Sequence, residues 1–277
     1  MTTDSCRSAD GTTIAYETSG RGPGLVFLSG AIVPPGGYAK MVDLLAADYT
    51  VHYVHRRGRG ESGPQGASYS IARECEDAEA VAQQTGARLL SAHSFGGFIA
   101  VNAALRPQSP WSAIAVYDAA VPVDGSVPME FLPGYEKALR EGRTIRAFTM
   151  MQRGLQVAPG LGRLPAGVHR LVSAALLATV GRDIRATLPT LIAEGDAAAE
   201  LDGPIERYRP IATPLLLMTG EHSAAYFRTA ARGIADVTGN AKLIELAGHD
   251  HNSPLLKPDR IVAETRAFLA QVPEATA

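Results

Sequence analysis

At 277 residues the chain is long for a minimal domain and short for two, so one core domain carrying a sizeable insertion is expected. With 46% hydrophobic and 19% charged residues, it has enough apolar side chains for a large core. A net charge of −2 provides no basic excess to release counterions from nucleic acid or to hold an anionic membrane, so neither partner is expected. The polar start, MTTDSCRSADG, has no basic stretch followed by an apolar one, and no apolar run reaches membrane-spanning length. A cytoplasmic protein is the expectation. Of the two cysteines, Cys6 and Cys75 sit in dissimilar contexts, and Cys75 is expected as a buried free thiol rather than half of a disulfide.

The first third alternates strands and helices. Thr12–Glu17 reads as a strand after the Asp10-Gly11 turn, and Gly20–Gly24 breaks it. Leu25–Ser29 is a short continuous apolar run, the mark of a strand buried on both faces of a parallel sheet. Tyr38, Met41, Val42 and Leu45 recur at helical spacing, Thr50–His55 is a strand, and Arg57-Gly58-Arg59-Gly60 makes a turn. Ile71, Cys75, Ala78 and Ala82 line one face of a second helix that stops at Gly86. Arg88–His93 is a strand running into Ser94-Phe95-Gly96-Gly97 and a third helix through Ala104, and Trp111–Asp118 is the next strand. The rhythm then breaks. From about Pro122 to Pro210 the chain is punctuated by proline and holds helical pieces, such as Ala147–Leu155 and Val168–Val180, but no convincing strand. Alternation resumes with strand Leu215–Thr219, a helix near Ala224–Val237, strand Lys242–Leu246 and helix Asp259–Leu269.

That order predicts an α/β protein with a mostly parallel central sheet flanked by helices. Residues 1–121 and 211–277 would form the core and 122–210 an inserted helical lid over the carboxyl ends of the strands, where open sheets bind ligands. Met129, Phe131, Phe148, Met150, Met151 and Leu155 are apolar enough to line a substrate cavity or, equally, to pack the lid onto the core.

Two short motifs carry chemistry. Ala92-His93-Ser94-Phe95-Gly96, between a strand and a helix, has the form of a nucleophile elbow, with Ala92 in place of the first glycine. The simpler reading of Ser94 is a helix cap. Ala247-Gly248-His249 follows the last strand, where the elbow fold places its histidine, so His249 is the expected general base and His251 its competitor. The other histidines read blandly: His52 and His55 on a strand, His169 in the inserted segment, and His93 pointing away from the serine by strand alternation.

Almost the whole chain resembles the α/β-hydrolase superfamily. The likeness is strongest to the bacterial branch with D-G-T-x-[IL]-A-Y near the start and R-R-G-R-G-[DE]-S-G after the fourth strand, here Asp10–Tyr16 and Arg56–Gly63. The sequence departs from that pattern in three places. The usual acid follows the seventh strand as G-x-x-D, whereas this chain reads Gly220-Glu221-His222-Ser223. The resemblance to branches with the acid after strand six makes Asp118 the expected acid and Glu221 the runner-up. Ser29-Gly30-Ala31 replaces the usual His-Gly pair, and His55 the usual Asp before Arg56-Arg57. The oxyanion hole uses backbone N–H groups, so Ala31 and Phe95 are expected to supply it.

The resemblance implies a serine hydrolase that cleaves an ester or lactone of a small to medium apolar substrate through an acyl-enzyme, using Ser94, His249 and Asp118. No metal or organic cofactor is expected, because no His, Cys or Asp cluster has ligand spacing. A small molecule is the only partner expected, and nothing in the sequence bears on oligomeric state. Two alternatives stay open: a cofactor-free oxygenase or other non-hydrolytic biosynthetic enzyme on the same fold, and a ligand-binding homologue without catalysis.

Overall fold

The structure, a computed structural model, describes residues 2–179 and 181–272. Met1, residues 273–277 and Val180, where one of the expected helices ends, lie outside the described residues. Eight strands form one sheet: β1 (Thr2–Arg7), β2 (Thr13–Ser19), β3 (Gly24–Leu28), β4 (Thr50–Val54), β5 (Leu89–His93), β6 (Ala113–Tyr117), β7 (Leu215–Gly220) and β8 (Ala241–Leu246). Their order is β1-β2-β4-β3-β5-β6-β7-β8, with the β1–β2 and β2–β4 pairs antiparallel and the other pairs parallel. This is the α/β-hydrolase architecture expected from the pattern. Strand β1 is the addition. Its side chains are nearly all exposed, so no alternation of apolar residues announced it, and pairing with β2 from Thr2↔Thr18 to Arg7↔Thr13 holds it as an edge.

The parallel strands are buried on both faces, which explains their continuous apolar runs. Along β3, Val26 and Leu28 join one core while Leu25 and Phe27 join the other. Helices α1 (Ala39–Leu45), α2 (Ile71–Thr85) and α3 (Phe95–Ala104) cover the first half of the sheet. Helix α2 behaves as its sequence says: Ser70 Oγ accepts from Arg73 N–H at the start, Gly86 ends it at φ 75°, and Ile71, Cys75, Ala78 and Ala82 are buried.

Between β6 and β7 lie α4 (Leu132–Arg140), α5 (Thr144–Gly154), α6 (Pro159–Gly162), α7 (Ala166–Thr179), α8 (Gly181–Thr187) and α9 (Thr190–Glu200). Helices α10 (Ala225–Thr238), α11 (Ser253–Leu256) and α12 (Asp259–Leu269) complete the chain. Helices α2, α3 and α10 pack on one face of the sheet, α1 and α12 on the other. The segment between β6 and β7 has its own small core, with Tyr135, Ala147, Phe148, Met151 and Leu191 among its buried residues. Among the described residues, no helix is long and apolar enough to cross a membrane.

Candidate active site

Ser94 stands between β5 and α3 at φ 57° and ψ −122°, a backbone conformation that non-glycine residues rarely adopt. The neighbouring backbone holds it there. Its N–H donates to Tyr117 C=O at 3.0 Å, and its own C=O accepts from Ala120 N–H at 3.0 Å. The turn runs so close to β3 that a Cβ on Gly96 would lie 2.5 Å from the Leu28 oxygen and 2.6 Å from that of Ser29. Glycine is therefore a steric requirement at 96. Helix capping does not account for Ser94, whose side chain makes no cap hydrogen bond.

The loop after β3 approaches the same serine. A Cβ on Gly30 would lie 3.0 Å from Ser94 Cβ, and Gly30 N–H donates to Tyr38 Oη at 3.1 Å. Ala31 lines the cavity above Ser94. Phe95 is the first residue of α3, and the first N–H groups of a helix have no partner within it. Behind both runs Arg56, fully buried, with its guanidinium 5.0 Å from the Phe95 ring centroid and Nη1 3.3 Å from the Gly30 oxygen.

Asp118 follows β6 at φ 46° and is 0% exposed. Its Oδ2 accepts from Ser223 Oγ at 2.5 Å and lies 3.1 Å from His251 Nδ1, and its Oδ1 accepts from Gly220 N–H at 3.3 Å. Ser223 occupies the position where the related pattern has its acid. Here that residue donates to a carboxylate arriving from the neighbouring strand.

The structure corrects the expected histidine. His249 does not meet Asp118. It sits in the tight turn after β8, with its N–H donating to Leu246 C=O, its ring Nδ1 2.9 Å from Ala247 O, and its side chain partly exposed. Gly248 at φ 67° makes that turn, and the runner-up Glu221 closes it by accepting from Gly248 N–H at 2.8 Å. Glu221 is thereby occupied at the surface, away from Asp118. Two residues on, the chain folds inward and His251, 6% exposed, reaches the carboxylate. Its ring stacks on Phe227 at 4.5 Å and 10° and lies 4.5 Å from the His93 ring at 40°.

His93 is a second correction. It lines the Ser94 cavity instead of pointing away, because Ser94 leaves the extended conformation and strand alternation stops at the elbow. Its Nδ1 lies 2.6 Å from Tyr38 Oη, and burial together with the neighbouring His251 holds its pKa well below the usual histidine value. The Tyr38 hydroxyl also accepts from Gly30 N–H, so it links the loop after β3 to the His93 ring.

Ser94, His93, His251, Gly30 and Ala31 line one cavity of about 180 Å³. The inserted helices wall it with Phe148, Met151, Leu155, Ile184 and Leu191, while Met129, Phe131 and Met150 pack within the segment or onto the core. His251 was weighed only as the competitor of His249, and Ser223, Tyr38 and His93 were not expected beside Ser94 and Asp118. For Ser223 a signal existed, its place in the acid's position, but polarity alone did not say that it would serve a neighbouring acid. Among the described residues, no group of three or more His, Cys, Asp or Glu is arranged to hold a metal ion.

A model of the alpha/beta hydrolase family matches residues 25–264. The chain belongs to that family. An alpha/beta hydrolase from Sphaerobacter thermophilus DSM 20745 is 30% identical over 96% of this chain and 99% of its own, with a TM-score of 0.77. An esterase from Rhodococcus sp. ECU1013 is 23% identical over 98% of this hydrolase-family chain and 100% of its own, at a TM-score of 0.74. The enol-lactonase from Burkholderia xenovorans LB400 is 21% identical over 97% and 100%, at 0.71. The last two likenesses show the fold alone. No curated protein matches the sequence significantly.

Proposed function

We propose that this alpha/beta hydrolase cleaves a carboxylic ester or lactone of a small to medium apolar substrate through an acyl-enzyme on Ser94. The observation that carries the reading is the Asp118–His251 contact of 3.1 Å at a cavity that also holds the strained Ser94. Asp118 orients the imidazole through Nδ1, which leaves Nε2 to take the Ser94 proton. Ser94 Oγ then bonds to the carbonyl carbon, and the N–H groups of Ala31 and Phe95 bind the oxyanion. The carbon–oxygen bond to the alcohol breaks as His251 returns the proton to the departing oxygen. Water, deprotonated by the same imidazole, cleaves the acyl-enzyme and frees the acid and Ser94. No cofactor enters this scheme. Ser223 and Gly220 N–H hold Asp118 in place by donating to it. The helices between β6 and β7 act as the lid, and their apolar wall suits an apolar acyl or ring portion.

Intact-mass analysis after incubation with a fluorophosphonate tests the reading. A single adduct on the wild type, absent from Ser94→Ala, together with loss of ester turnover in that variant, is the expected result. Full hydrolysis by a folded Ser94→Ala protein would remove the acyl-enzyme and favour an oxygenase-type His–Asp pair, and an unlabelled wild type without turnover would favour a binding role.

A further inference from the structure

Two amides border the cavity, Gln152 on α5 in an otherwise apolar lid wall and Asn252 beside His251. They differ in what remains free. Asn252 Nδ2 already donates to Val157 C=O at 2.8 Å, tying the catalytic loop to the lid. Gln152 has the opposite arrangement. Its Oε1 lies 2.8 Å from Ser173 Oγ and 3.3 Å from His169 Nε2, both on α7 and both fully buried. Burial and the nearby Arg153 lower the His169 pKa, which favours the neutral ring. The amide of Gln152 is anchored to α7 through Oε1. Its Nε2 is left with no hydrogen bond to any described residue, although Gln152 is only 7% exposed. That Nε2 keeps accessible surface, and Gln152 stands on the cavity wall as the polar side chain among the apolar ones of its helix.

Resting on the ester or lactone reading above, we propose that Gln152 determines specificity: its Nε2 donates to an acceptor oxygen on the acyl or ring portion of the substrate. The preferred substrates are then oxygenated esters or lactones, carrying an ether, oxo or hydroxyl oxygen in the lid-side portion, rather than plain alkyl ones. A site built around such a donor discriminates against analogues that leave it unpaired.

The test compares kcat/KM for p-nitrophenyl alkanoates, from butanoate to octanoate, with equal-length analogues in which an ether oxygen replaces one methylene at successive positions. Wild type, Gln152→Glu and Gln152→Met are measured side by side. Glu keeps an acceptor for Ser173 and His169 but has no N–H, and Met keeps only the shape. The intrinsic activation of the ester by the ether oxygen is common to all three proteins and cancels in the comparison. At one oxygen position the ether-to-alkyl ratio should fall about tenfold in both variants, with plain alkyl esters changed less than about twofold. Equal loss on both series would show that Gln152 only joins α5 to α7. An unchanged ratio at every position would show that the amide faces the groove beside His222 and Ser223, which Gln152 also borders. Either result overturns the proposal while the hydrolase reading stands. No wild-type turnover of either series, with Ser94 unlabelled by fluorophosphonate, overturns the hydrolase reading and the proposal with it.

Discussion

Two buried polar clusters flank the elbow, and they are built on opposite principles. Behind the loop after β3, two guanidiniums meet two carboxylates: Arg56 lies 2.6 Å from both Glu74 and Glu194, and Arg59 lies 2.5 Å from Glu194. Burial raises the Glu74 carboxyl, but the Arg56 charge outweighs it and holds the group below its ordinary value. The Arg56–Glu74 pair therefore stays charged near neutral pH and has no proton to move. The cluster joins helix α9, through Glu194, to the turn after β4. On the other side, Asp118 meets an imidazole, a group whose charge is able to change, and that imidazole also borders the cavity. Matched permanent charges hold a structure together. A carboxylate facing a titratable ring at a cavity does chemistry.

Four measurements sharpen or break that contrast. His251→Ala should lower turnover of an activated ester by about 10⁴-fold or more, while His249→Ala stays within about threefold. The reverse ranking would return the base to the surface turn. Asp118→Asn should leave folding intact yet cost about 10⁴-fold in kcat, because the amide admits the wrong imidazole tautomer and cannot balance its cation. Glu221→Gln, which touches only the Gly248 turn, should change kcat little, and a comparable loss there would contradict the strand-six acid. Ser223→Ala removes a single hydrogen bond to the carboxylate, and a loss of about tenfold in kcat is expected. On turnover the smallest effect belongs to the other cluster. Glu194→Ala should cost about 3–5 kcal/mol in denaturant unfolding, since it strands Arg59 without its carboxylate, but reduce kcat less than tenfold in the folded fraction. A large loss of kcat at unchanged stability would mean that the charge pair takes part in catalysis.

The sequence by itself determined the sheet and the elbow. Continuous apolar runs such as Leu25–Leu28 and Leu89–Leu90 identify strands buried on both faces, and a serine followed by Gly96 and Gly97 between strand and helix has few other uses. Asp118 was also legible, because the usual acid position holds Ser223 and the next strand end offers a carboxylate. Only tertiary structure decided which of His249 and His251 meets Asp118. Both lie in the same loop, and their order along the chain says nothing of which faces inward. A positive φ at Gly248 and the Glu221 contact turn His249 outward, and Phe227, arriving from α10, stacks on His251 and covers it. The same reason hid His93 and Gln152. Strand alternation holds only while the backbone stays extended, and the elbow ends it at Ser94. The hydrogen-bonding capacity left on Gln152 depends on Ser173 and His169, which are remote in sequence and adjacent only once α5 and α7 have packed. Local pattern reports which segments are buried, whereas the direction of a loop side chain is set by contacts that form only in the folded state.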